Sequence, residues 1–127
     1  MKGQLAIEFM FVFIIFLLGV IFVLISVWNS IANAEQIKIE HEANRIISMT
    51  ANRINTAYLE GDGFSINLVL PESIFGYNYT FVTENDTIWL HVAEKSFYKR
   101  LLTSNITGIL SSGENKIKNI KGMIVIS

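Results

Sequence analysis

Few residues in this chain are of a type and spacing that could do chemistry. His41 and His91 lie fifty residues apart, and neither has a carboxylate set around it that would support metal binding or acid–base catalysis. His41 is flanked by Glu40 and Glu42, but neighbouring helical residues point in different directions. The serines have no accompanying histidine–acid arrangement, and no phosphate-binding or dinucleotide glycine pattern is present. There is no cysteine, which excludes disulfides, thiolate metal sites and cysteine nucleophiles. No catalytic residue, cofactor or metal is expected. Three Asn-x-Thr triplets, at Asn78, Asn85 and Asn105, are possible N-glycosylation acceptors, with Asn85 and Asn105 in expected turns. The remaining chemical oddity is Glu8, a carboxylate at the edge of a long apolar run. Carrying it into hydrocarbon costs up to about 3 kcal/mol.

That run explains the unusual composition. Of 127 residues 51% are hydrophobic and 17% charged, with a mean hydropathy of +0.43. Residues 5–28 hold 21 apolar side chains and one charge. Phe9 to Ile25 is unbroken by anything but Gly19, and Val27 and Trp28 extend it past Ser26. A membrane-spanning helix needs about 20 such residues. Lys2 is the sole basic residue ahead of the run, so the positive-inside tendency keeps the N-terminus cytoplasmic and places the remainder outside. Trp28 suits an anchor at the outer interface. Ala32 and Ala34 would offer an ordinary signal-peptidase site, but the apolar run is longer than such signals need. The net charge of -1 makes no electrostatic case for nucleic acid.

Lys2-Gly3-Gln4-Leu5-Ala6-Ile7-Glu8-Phe9 resembles the class III signal peptide of type IV pilin-like proteins, in particular the archaeal form. The resemblance implies cleavage by a prepilin peptidase between Gly3 and Gln4, with the hydrophobic segment retained and Glu8 as the acid at the fifth mature position. Gln4 matches the archaeal first mature residue, whereas Ala6 stands where archaeal members often carry serine. The likeness covers these eight residues and the following apolar segment; the rest of the chain has no such signature. It implies a filament subunit with an assembly ATPase and a membrane platform protein as partners.

The physical content of the motif stands without the family. Cleavage removes Lys2 and creates an amino group on Gln4, whose pKa of about 7.7–8.0 leaves it largely charged at neutral pH. Pairing it with Glu8, in the same chain or a neighbour, offsets part of the desolvation of both and favours one axial register. Phe9, Phe13, Phe16, Leu17, Val20 and Leu24 are the expected filament-core positions.

These residues must be held by a long helix. From Asn29 to Leu59 there is neither proline nor glycine. Ile39, Ala43, Ile46, Thr50, Ile54 and Ala57 recur at spacings of three and four, with Ile47 and Tyr58 beside them, while Lys38, Glu42, Arg45 and Arg53 fall elsewhere. Glu60-Gly61-Asp62-Gly63 should end the helix, which from Gln4 to Leu59 would be about 84 Å long. Beyond it, period-two segments bounded by turn residues predict an antiparallel sheet. The segments are Phe64–Leu70, Tyr77–Val82, Thr87–Val92, Phe97–Leu102 as an edge strand, and a closing hairpin around Lys121-Gly122. The aromatics Tyr77, Tyr79, Phe81, Trp89, Phe97 and Tyr98 suit the sheet's core and cross-strand pairs, with a ligand-binding strip as the alternative.

The expected fold is α+β and pilin-like: a leader at 1–3, a hydrophobic helix at 4–28, an amphipathic continuation at 29–60 and a β-rich head at 61–127. The expected function is that of an archaeal pilus-like filament subunit. It would be membrane-anchored before assembly and extracellular afterwards, a homo-oligomer polymerising through its apolar helix and serving surface adhesion. A minor pilin or pseudopilin that primes or tips a filament, or a non-polymerising single-pass protein with an external binding head, are the alternatives.

Overall fold

In the computed structural model, residues 1–127 form two compact units, Met1–Lys38 and Ile39–Ser127. One helix, α1 (Lys2–Glu60), supplies all the secondary structure of the first unit and opens the second. The remaining elements are strands: β1 (Ser65–Leu70), β2 (Tyr79–Glu84), β3 (Thr87–Val92), β4 (Lys95–Arg100), β5 (Ile106–Thr107), β6 (Gly113–Ile120) and β7 (Met123–Ile126). The architecture is thus α+β, a long N-terminal helix followed by antiparallel β-structure.

The helical stripe of the second unit does what its spacing dictates. Ile39, Ala43, Ile46, Ile47, Thr50, Ile54 and Ala57 are all buried, and Ala51 joins them. Tyr58, at the edge of the stripe, stays partly exposed. Thr50 is tolerated inside because its hydroxyl donates to the Ile46 carbonyl one turn back, at 2.8 Å. On the outer surface Arg45 and Glu42 pair across one turn, and the hydrogen bond from the guanidinium holds the Glu42 carboxyl below its usual range.

The strands form two sheets rather than the single one expected. The first has the order β1-β6-β7-β5, the second β2-β3-β4. All pairings are antiparallel except β5 with β7, a two-residue parallel contact that periodicity could not announce. Leu68 and Leu70 of β1, Ile117 of β6, Ile124 and Ile126 of β7, and Phe81, Ile88, Leu90 and Val92 of the second sheet join the helical stripe in one hydrophobic core. Tyr79 sits at its margin, its hydroxyl donating to the Pro71 carbonyl, and burial pushes its pKa up.

One turn differs from the sequence reading. The fourth strand covers Lys95–Arg100 rather than Phe97–Leu102, because β3 and β4 are joined by a two-residue turn at Ala93 and Glu94. Both residues have positive φ, 49° and 61°, without the glycine or asparagine that usually signals such a turn. The other tight connections were legible: Asn85-Asp86 links β2 to β3, and Lys121-Gly122 links β6 to β7.

The helix ends through a buried side chain. Asn119 on β6 donates its amide to the carbonyls of Ala57 and Tyr58, at 3.0 and 3.3 Å, and accepts from the Gly122 N–H at 2.9 Å. Its backbone bonds reciprocally with Gly63 and Phe64. The last carbonyls of a helix have no partner within it. Here a strand residue supplies one.

Candidate functional site

The first unit presents the residues singled out at the N-terminus, and it does so on a helix with nothing packed on it. Every residue of Met1–Lys38 is exposed. The apolar side chains from Phe9 to Ile25 are bare on all sides of the helix: Phe9 is 69% exposed, Phe16 66%, Phe22 72% and Trp28 77%. In water this surface would be untenable for a monomer, since exposed apolar patches beyond a few hundred Å² mark a membrane or partner surface. The polar groups within and just past the run are already satisfied. Ser26 donates to the Phe22 carbonyl and Ser30 to the Ser26 carbonyl, each at 3.0 Å. This back-bonding lets a hydroxyl sit at membrane depth without an unmet donor. Helix α1 is long and apolar enough to cross a membrane.

Gly3, Gln4 and Glu8 all lie within α1 and are exposed. Gln4 and Glu8 are one helical turn apart and so share a face. A methyl group built on Gly3 would meet no atom within 4 Å, so nothing in this chain's own packing calls for glycine there. Gly19 is equally free, and its missing side chain leaves a shallow apolar notch bordered by Phe16, Val20, Val23 and Leu24. Phe9 and Phe13 stack along the helix with ring centroids 6.3 Å apart. Phe13, Leu17 and Val20 are the least exposed of the expected filament-core residues, at 48%, 42% and 40%, and they owe that only to their helical neighbours.

The other candidates lie in the second unit. His41 is exposed on α1; His91 is exposed on β3, with Nδ1 2.7 Å from the Ser96 hydroxyl. No three His, Asp or Glu side chains come close enough together to hold a metal ion. Asn78, Asn85 and Asn105 are all at the surface. Asn78 precedes edge strand β2. Asn85 has a φ of 53° in the β2–β3 turn. Asn105 precedes β5, tied down by its N–H to the Thr103 hydroxyl at 3.1 Å and by its carbonyl to the Ile124 N–H at 2.9 Å.

The aromatic set divides between core packing and an outward-facing cross-strand pair. Phe81 is core, and Tyr79 and Phe97 pack against it. Trp89 and Tyr98 face away from the core as a directly paired couple, 5.2 Å between centroids, and Tyr77 is also exposed. The signal was present in β3, where Trp89 alternates with the buried Ile88 and Leu90. What hid it for Tyr98 was the unmarked turn that sets the register of β4.

Comparison with family models, with curated proteins and with solved structures finds no match to this chain.

Proposed function

We propose that this chain is a structural subunit of a type IV pilus-like filament of the archaeal kind. It is held in the membrane by the first half of α1, trimmed between Gly3 and Gln4 by a prepilin peptidase, and then assembled outside the cell. The observation that carries the reading is the apolar segment Phe9–Ile25, exposed on every side and led by Gly3-Gln4 and Glu8 in that order. A helix with no polar face and no partner in its own chain is at home in lipid or among copies of itself. Exchanging lipid contacts for helix contacts uncovers little apolar surface to water, which makes extraction into a filament thermodynamically accessible. A repeated contact that does not close on itself gives an open helical assembly. Glu8 selects the register by pairing with the amino group that cleavage exposes on Gln4. The resemblance to type IV pilins implies an assembly ATPase and a membrane platform protein as partners in moving the chain out of the membrane. Surface adhesion is the role that suits such a filament.

The deciding experiment is mass spectrometry of the N-terminus of the surface-exposed protein, combined with electron microscopy of shed fibres. A chain beginning at Gln4 within filaments is expected. A chain that retains Met1–Gly3, or one that begins beyond Trp28, refutes the proposal. Low stoichiometry within the fibres would make it a minor subunit.

A further inference from the structure

The outer face of the β2-β3-β4 sheet is built differently from the rest of the surface. Register places Thr80, His91 and Ser96 in one row across the three strands, and Val82, Trp89 and Tyr98 in the next. Trp89 lies beside His91 with the two rings within 5° of parallel and centroids 6.4 Å apart, and it leans against Tyr98 at 39°. Tyr98 is 62% exposed. The core lies on the opposite side of the same strands, through Phe81, Leu90 and Phe97, so folding does not require aromatic rings on this one.

We propose that this face binds a neutral glycan, with pyranose rings laid on Trp89 and Tyr98 and sugar hydroxyls bonded by His91, Ser96 and Thr80. An aromatic ring has an electron-rich face, which attracts the slightly positive C–H bonds on the flat side of a sugar. Tyrosine and tryptophan also present that area at low conformational cost. His91 Nδ1 is engaged by Ser96, which fixes the ring and leaves Nε2 for a ligand. The two rows span about 10 Å across the strands and are about 7 Å apart, an area that suits one or two sugar units.

Charge selects the class of ligand. Neither row contains an Asp, Glu, Lys or Arg side chain. The charged residues around the two rows lie at their ends: Glu84 and Arg100 in the row nearest the β2–β3 turn, with Arg100 engaged by Asp86 at 3.0 Å, and Glu94 in the β3–β4 turn beside His91 and Ser96. A nucleic acid or acidic polysaccharide would need cations aligned with its charges, and beside the two rings and Val82 the face is made of hydroxyls and an imidazole, the groups that meet sugar hydroxyls. The site lies wholly within Ile39–Ser127 and holds whether or not the chain polymerises.

The test uses the full chain carrying Trp28→Phe, so that Trp89 is the sole tryptophan, in a detergent without a sugar head group. Hexasaccharides of α-1,4-glucose, β-1,4-glucose and N-acetylglucosamine are titrated by calorimetry and by Trp89 fluorescence. Saturable binding of at least one is expected. Tyr98→Ala and Trp89→Ala should each weaken it about tenfold in calorimetry, while Phe75→Ala, at an exposed aromatic elsewhere, leaves it unchanged. Thermal unfolding of each variant checks the fold, and Tyr98, being largely exposed, is the safer substitution. No saturable binding of any probe, affinity that survives Tyr98→Ala in a folded protein, or a preference for a sulfated polysaccharide that collapses with salt would each overturn the proposal.

Discussion

Asn119 joins the end of the long helix to the sheet, and its replacement by leucine has a cost that can be worked from the geometry. The side chain is 1% exposed. Its amide serves the carbonyls of Ala57 and Tyr58 and its oxygen takes the Gly122 N–H, all within 3.3 Å. Leucine has the same branching and number of heavy atoms, with bulkier methyl groups that can only add to the cost in a packed site, and it leaves those three backbone groups without that partner. Each hydrogen bond is worth about 1 kcal/mol net, and a buried group left unmet costs about 1–3 kcal/mol. One of the two amide bonds is long and shares its donor, so the sum is taken at about 2–4 kcal/mol rather than at the upper limit. For a domain of this size each kcal/mol lowers the thermal midpoint by about 4–8 °C. The assay is urea unfolding of the full chain with Trp28→Phe, followed through Trp89, which lies in the unit containing Asn119. The apolar half of the helix is then silent. A loss under about 1 kcal/mol would mean that water serves the helix end as well as Asn119 does, and the reasoning would fail.

Three further outcomes are expected. Gly108 has a φ of 97°, and a methyl group there would collide with the Ile126 carbonyl oxygen, whereas Gly63, at 87°, has open space around it. Both changes to alanine incur a backbone penalty of about 1–3 kcal/mol, so Gly108→Ala should lower the thermal midpoint clearly more than Gly63→Ala; equal shifts would refute the packing argument. The hydrogen bond from Arg100 holds the Asp86 carboxyl below its ordinary value of 3.8. Because the folded value is the lower one, the pair's contribution to stability is present above pH 3.8 and is lost as pH falls through the folded value. Carboxyl NMR titration should show Arg100→Ala moving Asp86 back up, and an unmoved titration would remove the pairing. Finally, Glu8→Gln should leave membrane insertion intact while cutting filament yield about tenfold or more, as expected when one member of a desolvated charge pair is lost; normal yield would end the register role assigned to Glu8.

Most of the architecture could be read from local pattern. Helix α1 followed from the run Phe9–Ile25 and the stripe Ile39 to Ala57, because a 3.6-residue period needs no knowledge of what lies opposite it. Strands β1, β3, β6 and β7 followed from period-two alternation in the same way, and the turns at Asn85 and Lys121 from residues that accept positive φ. The N-terminal pattern of Gly3, Gln4 and Glu8 is likewise a matter of order along the chain.

What the amino acids alone could not decide was every relation between segments distant in sequence. The division into two sheets and the parallel β5–β7 contact depend on which edges meet, and nothing in Ile106-Thr107 encodes its partner. Asn119 has the same composition as any surface asparagine until β6 brings it beneath the helix end. Trp89 and Tyr98 share a face only because an Ala-Glu turn, carrying none of the usual turn residues, sets β4 in register with β3. Periodicity is a short-range property of the backbone, whereas pairing and burial are set by the free energy of the whole packed unit.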